Sequence, residues 1–238
     1  MSINYTTYIQ QITNLIVSST LDANFNTMAP GMIDYAEQRI YRELDLQVSR
    51  VSDASTTLSS GVRTLTLPTD QVSPFVVVEQ LNVWTPATAL TSNATRNPLT
   101  PVAKEYLDFA WPTSTATGVP IYCAPLNNTT FILGPTPDQA YPIEVIGTIR
   151  PAPLSVSNSS TFLTQNLPDL FVAASMVFAS GYMRNYGAQA DDPQMPGSWE
   201  SQYKMLFGSA NAEELRKRFQ SQGWTPMTPN QIATPPRM

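Results

Sequence analysis

A chain of 238 residues with 13 basic and 18 acidic side chains has a net charge of −5, which argues against a free-standing nucleic-acid binder, since that needs a basic face to release counterions from phosphates. The length allows one large domain or two modest ones, and an apolar share of 42% fits a globular core. Only 13% of residues are charged, roughly half the usual share, while 21 prolines and many Ser, Thr, Asn and Gln give the polarity of a subunit in an obligate assembly, where interface cores are depleted in charge.

The N-terminus, Met1-Ser2-Ile3-Asn4-Tyr5, has no basic stretch ahead of an apolar one, and no apolar run reaches the ~18 residues of a membrane span. A soluble chain made in the cytoplasm, with no membrane partner, is expected. Over residues 3–18, Tyr5, Tyr8, Ile9, Ile12, Leu15 and Ile16 recur at steps of three and four, which predicts a helix with one apolar face. A polar turn is expected over 18–27. The second helix is predicted from Pro30 to Leu44, with Ile33, Ala36, Ile40 and Leu44 inward and Asp34, Glu37, Arg39 and Arg42 outward.

From Val51 the period changes to two. Thr57-Leu58, the turn Ser59-Ser60-Gly61 and residues 62–67 read as a hairpin, and Phe75-Val76-Val77-Val78 with Gln80-Leu81-Asn82-Val83-Trp84 as a β stretch rich in β-branched residues. Residues 85–101 read as a Thr/Asn/Pro loop, 102–109 as a short helix with Val102, Tyr106 and Phe109 on one face, and 110–119 as a second irregular segment. The runs 130–133 and 141–146 flank Gly134-Pro135-Thr136-Pro137-Asp138 and predict another hairpin. Asn166-Leu167-Pro168-Asp169 is the expected start of a third long helix, with Asn166 as its cap. That helix runs to about Tyr186, with Leu170, Ala173, Ala174, Val177, Phe178, Gly181 and Tyr182 on one side. Ser198 is placed as the cap of a fourth helix through Phe219. Residues 224–238, with four prolines, form a tail without a core of its own.

The predicted class is α+β. The N- and C-terminal helices, residues 1–50 and 165–223, form a helical bundle around an inserted antiparallel β-sandwich or barrel-like domain at 51–164, followed by an extended tail at 224–238. In the bundle, Ile12, Ile33, Ile40, Val177 and Phe178 are expected to share one core.

The chain offers little for catalysis. Histidine is absent, which removes the commonest general base near neutral pH and the commonest metal ligand. The single cysteine, Cys123, excludes an internal disulfide and reads as a small buried hydrophobe. There is neither a phosphate-binding loop nor a dinucleotide fingerprint. Asp191-Asp192 reads as a turn rather than a cation site. Glu213-Glu214 near Arg216, Lys217 and Arg218 reads as a solvated helix face, since neighbouring helical residues diverge by about 100°. Trp84, Trp111, Trp199 and Tyr106 read as core or interface anchors. No catalytic residue, cofactor or metal site is assigned, and the chain is expected not to be an enzyme.

At Leu67-Pro68-Thr69-Asp70, Pro120-Ile121-Tyr122, Phe131-Ile132-Leu133-Gly134-Pro135-Thr136-Pro137-Asp138, Tyr141-Pro142-Ile143-Glu144-Val145, Pro153-Leu154-Ser155 and Leu167-Pro168-Asp169-Leu170, the chain resembles the head-to-tail adaptor (connector) proteins of tailed bacteriophages. The similarity covers roughly residues 25–185, and the order and spacing of the pieces carry it. It implies terminal helices around a β insertion, a virion protein at the head–tail interface, and assembly in the host cytoplasm. The implied partners are further copies of the chain in a ring, roughly a dodecamer under closed cyclic symmetry, the portal protein, and a tail or nozzle protein. DNA is implied only as cargo passing through the lumen. The basic cluster Arg216, Lys217 and Arg218 and the tail residues Trp224, Met227, Ile232 and Met238 are the candidate partner contacts, the tail ordering only against a neighbour. A carbohydrate-binding module or tail adhesin is the alternative reading, since β insertions with exposed aromatics bind sugars.

Overall fold

A computed structural model of the chain describes residues 3–16, 23–68, 74–87, 94–183 and 195–221. Chain packing separates two compact units, one built from the residues up to Leu46 and from Pro153 onward, the other from Gln47–Ala152. The fold is mixed α+β.

The helical unit opens with α1, Tyr5–Ile16. Asn4 caps it reciprocally: the Thr7 N–H donates to Asn4 Oδ1 at 2.9 Å, and the Asn4 N–H donates to Thr7 Oγ1 at 2.8 Å, which satisfies two donors that a helix start leaves unpaired. Tyr8, Ile12 and Ile16 are buried at steps of four. Leu15, expected on that face, is exposed, because it lies about 100° around the helix from Ile16.

Helix α2, Ala23–Glu43, starts well before the expected Pro30, which falls inside it and faces solvent. Proline there forfeits a backbone hydrogen bond. Phe25 and Ala29 offset the loss by extending the buried stripe of Met32, Ile33, Ala36 and Ile40 upstream. Two side chains expected outward are not: Glu37 is buried, and Arg39 is largely covered. Each has a specific partner, described below.

Helix α3, Lys104–Ala110, belongs to the β unit. The chain returns to the helical unit through α4, Phe162–Asn166, a turn absent from the sequence reading. Thr161 caps it in a reciprocal box with Thr164. Asn166 therefore does not cap the next helix; it ends α4, its amide donating to the Phe162 carbonyl at 3.2 Å. Helix α5, Pro168–Met183, begins where expected. It is buried on most sides, through Leu170, Phe171, Ala173, Ala174, Met176 and Ala179, because it packs against α1, α2, α4 and α6.

Helix α6, Met195–Ser221, starts three residues ahead of Ser198, which lies within it rather than at its cap. Pro196 is tolerated there because first-turn N–H groups have no helical partner. Ile12, Ile33 and Ile40 join Tyr8, Phe171 and Met176 in one core, with Phe178 packed against it. Full burial of such side chains contributes roughly 1.5–3 kcal/mol each. Val177 is only partly buried and lies outside that cluster, a correction to the expected core.

Among its described residues the β unit holds two four-stranded sheets and a two-stranded one. Its strands are β1 (Arg50–Thr57), β2 (Thr64–Thr66), β3 (Phe75–Thr85), β4 (Thr95–Pro98), β5 (Thr100–Pro101), β6 (Thr117–Gly118), β7 (Tyr122–Pro125), β8 (Thr130–Gly134), β9 (Thr136–Pro137) and β10 (Pro142–Ile149). The first sheet runs β1-β10-β3-β4 and is antiparallel throughout. The second runs β2-β8-β7-β5, its β5–β7 pair parallel, and β6 pairs with β9 in parallel.

Neither expected hairpin forms. β1 pairs with β10 and β2 with β8, while β8 and β10 belong to different sheets. The segment between β8 and β10 carries Pro135 and Pro137, which lack the N–H donors a continuous ladder needs. It crosses from one sheet to the other and pairs with β6 on the way. Consecutive strands that do pair antiparallel are β3 with β4 and β7 with β8, the latter with Asn127 Oδ1 accepting from the Thr129 N–H at 2.9 Å across the turn. The segment expected to be a loop at 85–101 carries β4 and β5, and the irregular stretch at 110–119 carries β6. The two larger sheets feed one apolar cluster, Leu81, Val83, Ile143 and Val145 from the first and Leu65, Cys123 and Leu133 from the second. No described helix is long and apolar enough to cross a membrane.

Candidate interaction surface

The basic cluster on α6 is half used up inside the chain. Lys217 Nζ lies 2.6 Å from Glu214 Oε1 and 3.0 Å from Glu213 Oε1, and 5.7 Å from the centre of the Phe162 ring. The Glu214 hydrogen bond, reinforced by Glu213, holds the Lys217 ammonium above its usual pKa. Glu214 itself is buried, not part of a solvated acidic face; Glu213 remains open to solvent. Lys217 reaches both carboxylates because they lie three and four residues before it on the helix. Arg216 is exposed. The Arg218 side chain, Trp224, Met227, Ile232 and Met238 lie outside the described residues, as do Asp191 and Asp192.

On the β unit, α3 turns Leu107 into a small cluster with Ala124 and Ile132 and leaves Tyr106 and Phe109 outside, Phe109 at 87% exposure. Val102, expected on one helical face with Tyr106 and Phe109, lies ahead of α3 and packs against the Leu107 cluster instead; Leu107 is the anchor. Tyr106 meets Tyr122 edge-on at 6.0 Å between ring centres, and Trp111 lies against Tyr122 at 5.7 Å. Ile121, just before β7, is also exposed. Asp108 fastens the helix, receiving Lys104 at 2.8 Å and Arg63 at 3.1 Å. The Lys104 hydrogen bond, with Arg63 behind it, holds the Asp108 carboxyl below the usual range. A firmly seated short helix that shows two aromatic rings to solvent has the make-up of an interface anchor.

A polar network crosses the first sheet. Glu144 on β10 is buried; its Oε1 accepts from Ser52 Oγ of β1 at 2.6 Å and from Arg96 Nη2 of β4 at 3.0 Å, and its Oε2 accepts from Asn82 Nδ2 of β3 at 2.9 Å. Arg96 Nε also lies 3.0 Å from Oε2, and the guanidinium stacks 4.9 Å from the Trp84 ring centre. One carboxylate thus binds all four strands together. Sequence reasoning missed this network, since the partners come from separate strands and the only local signal is a glutamate inside an apolar strand.

These contacts tie strands and helices together within each unit. Burial pushes the Cys123 thiol up to about 11, so it is protonated near neutral pH and a poor nucleophile. Among the described residues no three His, Cys, Asp or Glu side chains are grouped to hold a metal ion. No curated protein matches the sequence. The family model described as SU10 adaptor protein matches residues 3–230. That match takes in both units and agrees with the resemblance to phage head-to-tail adaptors, and the chain belongs to the SU10 adaptor protein family.

Proposed function

We propose that the chain forms a closed ring, roughly a dodecamer, that joins the capsid portal to the tail or nozzle and surrounds part of the DNA exit channel. The family match over residues 3–230 carries this reading. In it the helical ends at 1–50 and 165–223 act as a bundle domain, the insertion at 51–164 as a sandwich-like domain, and residues 224–238 as a tail that orders against a neighbouring subunit or the portal. The exposed Tyr106, Phe109 and Ile121, with Arg216 on the helical unit, supply contacts to neighbours.

The charge pattern suits a channel past which DNA slides. Arg39, Arg50, Arg63, Arg96, Lys104, Lys204 and Lys217 each lie within ion-pair distance of a carboxylate. Their charge is compensated locally, which weakens retention of phosphates in passage. The protein would act as a structural part of the virion, with no catalytic step of its own.

Sedimentation velocity and negative-stain imaging of the purified protein, alone and with the portal protein of the same virion, test the reading. Closed rings, or ring closure on adding portal, are expected. A monomer that ignores portal and binds immobilised glycans would favour the adhesin reading instead.

A further inference from the structure

A groove of about 600 Å³ opens on the helical unit among α1, α5 and α6. Trp199 of α6, half-buried, gives it an aromatic wall beside Pro168 and Val172 of α5. Asp169 is the charged side chain on its lining. The Leu170 N–H donates to Asp169 Oδ1 at 2.9 Å, and among the described residues no cation lies within ion-pair distance of this exposed carboxylate. Asn166, also on the lining, spends an amide N–H on the Phe162 carbonyl and keeps its Oδ1 as an acceptor. An indole ring, a carboxylate and an amide oxygen together fit a guanidinium, which stacks on aromatic rings and presents five N–H donors in one plane.

We infer that the groove receives the Arg216 side chain of a neighbouring copy, its guanidinium lying on Trp199 and pairing with Asp169. The assignment rests on the self-assembly proposed above. Charge complementarity within the chain points to a second copy. Of the described cations of the helical unit, Arg39, Lys204 and Lys217 face carboxylates, and Arg42 donates to the Gln38 carbonyl. Arg216 is exposed and has no hydrogen-bond or ion-pair partner among the described residues. The unmatched acid and the unmatched base cannot meet within one molecule. Trp199 and Arg216 stand ~26 Å apart along the same helix, α6, a distance that one side chain does not span. Each copy therefore carries a receiving groove near the start of α6 and an arginine near its end. Joining one to the other between copies is a heterologous contact, which closes into a ring when the rotation permits.

Photocrosslinking of the full chain tests the pairing. Benzoylphenylalanine replaces Gln11 on the groove lining, and ¹⁵N-labelled and unlabelled copies are mixed before irradiation, with and without portal protein. Crosslinks to peptides containing Leu215, joining labelled to unlabelled chains, are expected. Arg216→Asp should lower their yield about tenfold, equivalent to losing one charge-assisted contact. Arg216→Lys should lower it nearly as far, because an ammonium neither stacks flat on the indole nor pairs at two points. Adding Asp169→Arg to Arg216→Asp should restore the yield, which separates lost pairing from lost folding. Crosslinks confined to single copies, crosslinks to portal in place of Leu215, undiminished yield in Arg216→Asp, or a charge swap without recovery would overturn the assignment. Closed rings with crosslinks elsewhere would remove the pairing and leave the adaptor reading standing. Crosslinks to Leu215 in open, irregular assemblies would support the pairing and count against the ring.

Discussion

Arg39 on α2 holds Glu200 on α6 through two parallel hydrogen bonds, Nη1 to Oε2 and Nη2 to Oε1, each 2.7 Å long. The guanidinium lies 4.1 Å from the Tyr203 ring centre, and its Nε reaches Glu43 at 3.1 Å while Tyr203 Oη donates to Glu43 Oε2 at 2.7 Å. The Arg39 hydrogen bond holds the Glu200 carboxyl below its usual range. Planar two-point pairing suits arginine and not lysine. Arg39→Lys should therefore destabilise the helical unit by about 1–3 kcal/mol, because it leaves Glu200 half paired at a partly buried site. Urea unfolding, with a double-mutant cycle against Glu200→Gln, gives the coupling.

Glu37 makes the stability of the helical unit depend on pH. It is buried on α2, its Oε1 accepts from the Leu154 N–H at 3.0 Å, and burial, opposed by that bond and assisted by Asp34, pushes its carboxyl up to about 7. A raised folded pKa means that the folded state binds the extra proton. Its contribution is present below the unfolded value near 4.5 and is lost as pH rises through about 7. Wild type should lose up to about 3 kcal/mol over that window relative to Glu37→Gln. Thermal or urea unfolding of both proteins from pH 4.5 to 8 measures the difference, and parallel curves would refute the assignment.

The β unit depends on close backbone approach at Gly147 of β10. A Cβ there would collide with the Val77 carbonyl oxygen and stand 2.9 Å from Phe75 Cδ1. The register of β10 on β3 shifts at this point, between Ile146 and Gly147. Gly147→Ala should cost on the order of 1–3 kcal/mol, the usual penalty of overpacking that forces backbone to move. Gly181→Ala in α5, which meets no atom within 4 Å, is the control and should instead raise stability by about 0.5–1 kcal/mol, the usual gain of alanine over glycine in a helix. Calorimetry of the two variants compares them.

Helix positions could be read from side-chain period, because Tyr8, Ile12, Ile33, Ile40 and Leu170 repeat at helical spacing and sit in the core. Strand pairing could not be read in the same way. Strands near in sequence, such as β1 and β2, or β8 and β10 on either side of the short β9, carry no mark in their own residues of whether they pair together or join different sheets. Glu37 and Arg39 looked solvent-facing because charge alone marked them so; their partners, the Leu154 amide and Glu200, lie more than a hundred residues away. The Glu144 network is hidden for the same reason, and the exposure of Phe109 follows from Leu107 winning the inward position on α3.

Phe109 separates folding from assembly. At 87% exposure it adds little to the stability of the free chain, so Phe109→Ser should stay within about 0.5 kcal/mol of wild type. In the proposed ring its loss should slow closure or weaken attachment. Paired unfolding and sedimentation measurements distinguish the effects, and a variant that unfolds would place Phe109 in the core instead.

Cryo-electron microscopic reconstruction of the head–tail joint in intact virions tests the adaptor claim most directly. A closed ring of this chain between portal and tail is expected, its helical and β units both resolved and its lumen poor in unpaired Arg and Lys. A joint in which portal meets tail with no density for this chain, or a chain found only at the tail tip, would contradict it.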